Sequence, residues 1–420
     1  MYAFKIQGGQ QLKGEVEING AKNAILPIMI ASLLTKEPLS LSNISYLSDV
    51  NTLSELLKSM GMKIKTKKSS ITLTADKITN FHADYNFVSK MRASFWVLGP
   101  LLARFGEAEV SLPGGCAIGT RPVDLYLNAL KEMGAEIKVE NGYVCAKGPL
   151  HGANIFFQKV SVGATHNTIM AAVLTKGITT IHNPALEPEV MDLIDVLVKM
   201  GAKISGIGTK VLTIEGVDEL HGASHEVVAD RIEAATFAVA AAVTKGKIFL
   251  KGAKINLMDA VVDALRPSNV LFKEDKNGIL VDATKCSLKA TSLTTSEYPG
   301  FPTDAQAPLS MLLSLAPGMS LIEERIFENR FMHIPELKRM GANITVLNNN
   351  AILITGVKNL SGAQVMSSDL RGGVSLVLAA LAAKGESIVK RIYHIDRGYY
   401  QLEKKLTKLG AKIKRIKSKN

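Results

Sequence analysis

Residues 112–125 read LPGGCAIGTRPVDL, which sets Cys116 among glycines, five residues ahead of Arg121. Glycines let a backbone approach a ligand closely and move around it. A thiol in such a loop, with a fixed positive charge nearby, can act as an acid or a nucleophile. The arginine fork suits a carboxylate or phosphate. The combination predicts covalent or acid–base chemistry on an anionic substrate. Cys145, in the β-like run YVCAKG, and Cys286, beside a lysine in a polar stretch, lack this setting and are expected to be inert. Asp304, in FPTDAQA, offers either a base or a helix N-cap, and the residues alone leave the two open. No cluster of His, Cys and Asp has metal-ligand spacing, and no P-loop or dinucleotide G-x-G-x-x-G fingerprint is present, so no metal is expected.

The elements that must hold these residues repeat along the chain. ELLKSMGMKI, NALKEMGAEI, DVLVKMGAKI, PELKRMGANI and EKKLTKLGAKI recur at about 70 residues or twice that. A degenerate copy, DALRPSNVLF at 263–272, carries Pro-Ser-Asn in place of the glycine turn. Each copy is an amphipathic helix, a glycine suited to a left-handed cap, and short β-like runs. Ahead of it lies a helix apolar nearly all round, such as NAILPIMIASLL at 23–34, MRASFWVLGPLLARFG at 91–106 or ATFAVAAAVT at 235–244. Such helices belong inside. A unit therefore reads as strand, buried helix, strand, exposed helix, strand, strand. Six units in two groups of three predict an α/β protein of two similar domains with helices inside and sheets outside. Ligand would bind in the cleft between them.

A length of 420 residues exceeds what one hydrophobic core normally serves. The net charge of +12 comes largely from KIKTKK near residue 65 and the C-terminal LGAKIKRIKSKN, which read as a solvated surface or a field attracting small polyanions. Sparse aromatics, 5% with the single Trp96, argue against base stacking as the main activity, and no nucleic-acid motif is present. The start, MYAFKIQGGQ, has no signal-peptide core, and the longest apolar runs are too short to span a bilayer. Three cysteines make no disulfide framework, so a cytoplasmic protein with no membrane partner is expected.

The chain resembles the UDP-N-acetylglucosamine 1-carboxyvinyltransferases, a family of enolpyruvyl transferases. The resemblance is carried by GAKNAILP at 20–27, MRASFW at 91–96, the 112–125 string, KVSVGAT at 159–165 and ADRIEAATF at 229–237. It continues through FPTDAQA at 301–307, FENRFMHIPEL at 327–337, SGAQVMSSDLR at 361–371 and RIYHIDRGY at 391–399. It implies an inside-out α/β fold of two threefold-repeat domains, residues 22–229 and residues 1–21 with 230–420. It also implies transfer of the enolpyruvyl group of phosphoenolpyruvate to the 3′-hydroxyl of UDP-N-acetylglucosamine, with release of phosphate, as the opening step of peptidoglycan synthesis. Cys116 would protonate the methylene carbon and can form a phosphoenolpyruvate or pyruvate adduct; no other cofactor is implied. Asp304 would be the base, and Lys22 and Arg397 would join them in catalysis. Lys22, Asn23, Cys116, Arg121, Arg371 and Arg397 would hold phosphoenolpyruvate. The nucleotide-sugar would meet Asn23, Arg92, Arg121, Pro122, Val123, Asp124, Leu125, Lys159, Val160, Ser161, Val162, Asp304 and Ile326. Arg330 and Arg371 would alternatively give structural or transition-state support, with His333 and His394 in supporting roles, whereas His166 reads as a surface residue. Gly372 and Gly373 after Arg371 cast doubt on local rigidity there. A 5-enolpyruvylshikimate 3-phosphate synthase, a non-catalytic nucleotide-sugar binder and a basic nucleic-acid-binding repeat protein stand as alternatives.

Overall fold

The computed structural model describes residues 1–113 and 123–417. Among the described residues the chain divides into two compact units, one within residues 20–228 and a second made of residues 1–19 and 229–417. Each unit's described residues form three four-stranded sheets.

One plan serves all six sheets. In the unit 20–228, strand Leu39–Ser42 is followed by helix Ser48–Ser59 and by the hairpin Lys63–Lys67 and Ser70–Thr74, which adds antiparallel strands to it. The fourth strand of that sheet, Ala223–Glu226, joins parallel from the end of the unit and closes the ring of sheets. The other unit closes the same way with its N-terminal segment. Tyr2–Gln7 lies antiparallel between Glu386–Lys390 and Lys412–Lys417, and Lys13–Glu17 runs parallel to Lys247–Lys251. The sixth repeat is thus completed by residues from the opposite end of the chain.

Helices that are apolar all round have no face to offer water and go inside. In Val162–Ala172 every residue from Gly163 onward is buried, and in Arg231–Val243 residues 232–242 are. Thr303–Leu313 and Leu370–Ala382 are buried similarly, and these two pack with Arg231–Val243 as three mutually touching helices at the heart of their unit. The amphipathic helices, such as Pro188–Lys199, turn one face toward the core of their own unit. The expected inside-out arrangement of helices and sheets is therefore present within each unit.

Two expectations need correction. MRASFWVLGPLLARFG is not one helix: a 3-10 turn Arg92–Val97 precedes the α-helix Leu98–Phe105. Starting at Leu98 puts Pro100 in the first helical turn, where its missing N–H leaves no hydrogen bond unmade. His166 is fully buried rather than on the surface, because it sits on a helix with no exposed face. The degenerate repeat keeps its turn: Asn269 has φ +59°, the left-handed conformation that Gly61, Gly134, Gly201, Gly341 and Gly410 supply elsewhere. Asparagine is the residue best able to stand in for glycine there.

Candidate active site

Asp304 lies in the first turn of helix Thr303–Leu313. It does not cap that helix; Pro302 holds the cap position and no side chain bonds the first-turn amides. Its carboxylate is instead gripped by two arginines. Arg330 donates Nη2–H to Oδ1 at 2.6 Å. Arg371 donates from Nε and Nη2 to Oδ2 at 3.1 and 2.8 Å. Both arginine side chains are almost fully buried, and Asp304 keeps 24% of its own exposed. Burial pushes the Asp304 carboxyl up, but the charges of Arg371 and Arg330 outweigh it and hold the carboxyl well below its usual range. Asp304 is therefore ionised at any physiological pH. Oδ2 takes two N–H bonds and Oδ1 one, so Oδ1 retains acceptor capacity.

Arg371 is held by its own helix. Asp369 caps Leu370–Ala382 by accepting from the backbone N–H of Arg371 and Gly372 at 3.0 and 3.1 Å. The two glycines do not loosen this end. A Cβ on Gly372 would sit 2.4 Å from Asp369 Oδ1, and one on Gly373 would sit 2.8 Å from Ser367 Oγ. They are small because capping and packing groups fill that space, which removes the doubt about rigidity.

The 324–331 segment is organised by a carboxylate that the sequence reading missed. Glu324, fully buried, accepts from Thr295 Oγ1 and the backbone N–H of Ile326 at 2.9 Å, and from Phe327 N–H at 3.1 Å. Its other oxygen accepts from Thr303 Oγ1 at 2.8 Å. It ties Ile326 to the start of the Asp304 helix. A buried glutamate next to Glu323 gives no pattern of its own in sequence. His333 is buried, with Nε2 against Ser310 Oγ at 2.8 Å, and burial lowers its pKa to about 4. His394 is half-buried and packs on Tyr393. Arg397 ends the 3-10 segment Ile392–Arg397 and is half-buried.

In the unit 20–228, Lys22 is the first residue of helix Lys22–Ala31, and its Nζ stands 3.3 Å from Oδ2 of the buried Asp49. Asn23 is half-buried beside it. The helix packs against the 3-10 turn that Arg92 begins. Trp96 of that turn donates Nε1–H to Tyr126 Oη at 3.4 Å. Tyr126 stands so close to Gly163 that a Cβ there would lie 1.9 Å from its hydroxyl. This contact brings Val123, Asp124 and Leu125, at the start of helix Asp124–Glu132, toward Ser161 and Val162, at the start of Val162–Ala172. Ser161 caps the latter helix through Ala164 N–H. Val160 is half-buried, whereas Lys159 is exposed. Two separate strings expected from the resemblance to meet the nucleotide-sugar thus converge around Trp96 and Tyr126.

Cys116, Arg121 and Pro122 lie outside the described residues. Cys145 is half-buried and Cys286 buried, and burial raises both thiol pKa values. Among the described residues no group of three His, Cys, Asp or Glu could hold a metal, and no helix is long and apolar enough to cross a membrane.

Comparison with known proteins agrees with this architecture. The EPSP synthase (3-phosphoshikimate 1-carboxyvinyltransferase) family matches residues 6–406. Among solved structures, the enolpyruvyl transferase NikO from Streptomyces tendae superposes with a TM-score of 0.90 at 23% identity, covering 100% of this chain and 99% of that one. EPSP synthase from Acinetobacter baumannii gives 0.76 at 18% identity, covering 99% and 100%. At these identities the likeness is one of fold. The sequence relatives are nearer. UDP-N-acetylglucosamine 1-carboxyvinyltransferase of Paramagnetospirillum magneticum is 53% identical over 99% of both chains. That of Aliivibrio salmonicida is 52% identical over 100% of this chain and 99% of its own. With half of all residues shared from end to end, this chain belongs to the UDP-N-acetylglucosamine 1-carboxyvinyltransferase family of enolpyruvyl transferases.

Proposed function

We propose that the protein transfers the enolpyruvyl group of phosphoenolpyruvate to the 3′-hydroxyl of UDP-N-acetylglucosamine and releases phosphate. The end-to-end identity of 52–53% with relatives named for that acceptor carries the reading. The transfer runs by addition and elimination. Cys116 delivers a proton to the methylene carbon, and the sugar oxygen bonds to the neighbouring carbon to give a tetrahedral ketal. A proton then leaves the new methyl group, the carbon–oxygen bond to phosphate breaks, and the double bond returns. Asp304 suits the oxygen side of this chemistry. An anion pinned by two arginines is a weak base at rest, but the hydroxyl becomes far more acidic as its oxygen bonds to carbon, so Oδ1 takes the proton late. Lys22, Asn23, Arg121, Arg371 and Arg397 bind phosphoenolpyruvate, with Asp49 steadying Lys22. Arg92, the 121–125 segment, residues 159–162 and Ile326 bind the nucleotide-sugar. The same reading makes the product a cytoplasmic peptidoglycan precursor and Cys116 the thiol that fosfomycin alkylates.

The test is phosphate release from phosphoenolpyruvate with a mass spectrum of the product. Release that requires UDP-N-acetylglucosamine, with an enolpyruvyl gain in mass, is expected. Release only with shikimate 3-phosphate would move the chain to the sister reaction, and none with either acceptor would refute transfer.

A further inference from the structure

Tyr399 is fully buried and belongs to no part of the transfer chemistry above. Its hydroxyl lies 3.1 Å from Arg371 Nη1 and 2.8 Å from Thr236 Oγ1. The direction of these bonds follows from proton counting. Thr236 has one hydroxyl proton and gives it to the carbonyl of Ile232 at 2.8 Å. Thr236 can therefore only accept from Tyr399, and the Tyr399 oxygen must turn its lone pairs toward Arg371. The chain of donors is Arg371 Nη1–H to Tyr399, Tyr399 to Thr236, and Thr236 to the backbone of helix Arg231–Val243. At its other edge the same guanidinium holds Asp304 Oδ2 through Nε and Nη2.

We infer that Tyr399, oriented by Thr236, is a positioning residue that fixes the Arg371 guanidinium so that Arg371 occupies Oδ2 of Asp304 and leaves Oδ1 facing the acceptor hydroxyl. A guanidinium is planar and rigid, so anchoring Nη1 sets where Nε and Nη2 point. Without the anchor the group turns about its bond to the side chain, and its two hydrogen bonds spread over both carboxylate oxygens. Tyr399 stays a phenol: burial raises its pKa, and Arg371 offsets only part of that. The inference rests on the transfer reading for its consequence in turnover, but the anchoring itself is a property of the resting protein.

Tyr399→Phe removes one oxygen from a packed ring. It should lower kcat about tenfold, the scale of one hydrogen bond to a charged group, with KM for UDP-N-acetylglucosamine within about twofold. Thr236→Val should also lower kcat, because a Tyr399 proton with no acceptor turns toward Arg371. In the Tyr399→Phe background Thr236→Val should cost nothing more, since the relay is already cut. Independently of turnover, 15N NMR of the Arg371 guanidinium should show hindered rotation in the wild type that Tyr399→Phe releases. Additive losses in the double variant, a change in KM alone, or unaltered guanidinium rotation would each overturn the relay. A wild type with hindered Arg371 and no turnover would refute the transfer reading and leave the relay standing.

Discussion

Replacing His166 with leucine should make the unit 20–228 less sensitive to acid. The imidazole is fully buried on helix Val162–Ala172, with its ring 5.2 Å from that of Trp96. Neither ring nitrogen makes a well-formed hydrogen bond among the described residues. Burial drives its pKa from 6.5 down to about 3, and the nearby Glu189 backbone offsets only part of that. The folded state thus refuses a proton that the unfolded chain takes up below pH 6.5. Stability is unaffected above that value and falls with acidification until the folded pKa is reached. Between pH 7.5 and pH 5 the unfolded chain gains about 1.5 pKa units of binding free energy, or about 2 kcal/mol, that the folded chain does not. Urea unfolding followed by Trp96, the only tryptophan, reads this unit directly. Whatever packing cost His166→Leu carries at pH 7.5, its stability relative to wild type should improve by about 2 kcal/mol on moving to pH 5. A difference between the two proteins that stays constant across that range would refute the argument.

Three further outcomes follow from the site. Asp304→Asn removes the anion and should lower kcat about a thousandfold in the phosphate-release assay. It also leaves Arg330 and Arg371 without their countercharge, so thermal unfolding should show a loss of about 3 kcal/mol. Gly372→Ala forces a Cβ to within 2.4 Å of Asp369 Oδ1 and should cost about 1–3 kcal/mol in the same measurement, mostly through the displaced cap. Cys116→Asp keeps an acid in place of the thiol. It should retain turnover while abolishing the mass gain of the intact protein on exposure to fosfomycin.

The repeats were legible because their signals are local: helical spacing of apolar residues, a glycine where the chain turns left-handed, short alternating runs. Even the copy lacking glycine obeyed the same physics, with Asn269 in its place. What escaped was pairing at a distance. Nothing in Tyr2–Gln7 announces that its neighbours are Glu386–Lys390 and Lys412–Lys417. His166 was misread by judging one polar residue alone; Gly163, Ile169 and Met170 on the same helix already marked that face as buried. At the site, the family motifs mark Asp304, Arg330 and Arg371 one by one, but not that the two arginines close on the one carboxylate. Tyr399, Thr236, Glu324 and Asp49 were invisible for a related reason: each makes a contact with a residue distant in sequence, such as Tyr399 with Thr236 or Lys22 with Asp49.

The repeat also shows where helix starts depart from the common plan. Three central helices begin with a side chain that accepts from their own first amides: Ser161 for Val162–Ala172, Asp230 for Arg231–Val243 and Asp369 for Leu370–Ala382. Helices Lys22–Ala31, Leu98–Phe105 and Thr303–Leu313 have no such cap, with Ala21, Val97 and Pro302 at the position. A missing cap costs about 1 kcal/mol, and repetition offered a ready solution that these three copies do not use. Two of the three carry Lys22 and Asp304 in their first turns. A capping aspartate commits an oxygen to backbone amides, as Asp369 does with Oδ2; Asp304, within the first turn, has both oxygens turned to arginines instead. Departures from local rules are expected where function competes with stability. Here two of the three departures fall on helices whose first turns carry residues that the family resemblance implies in catalysis.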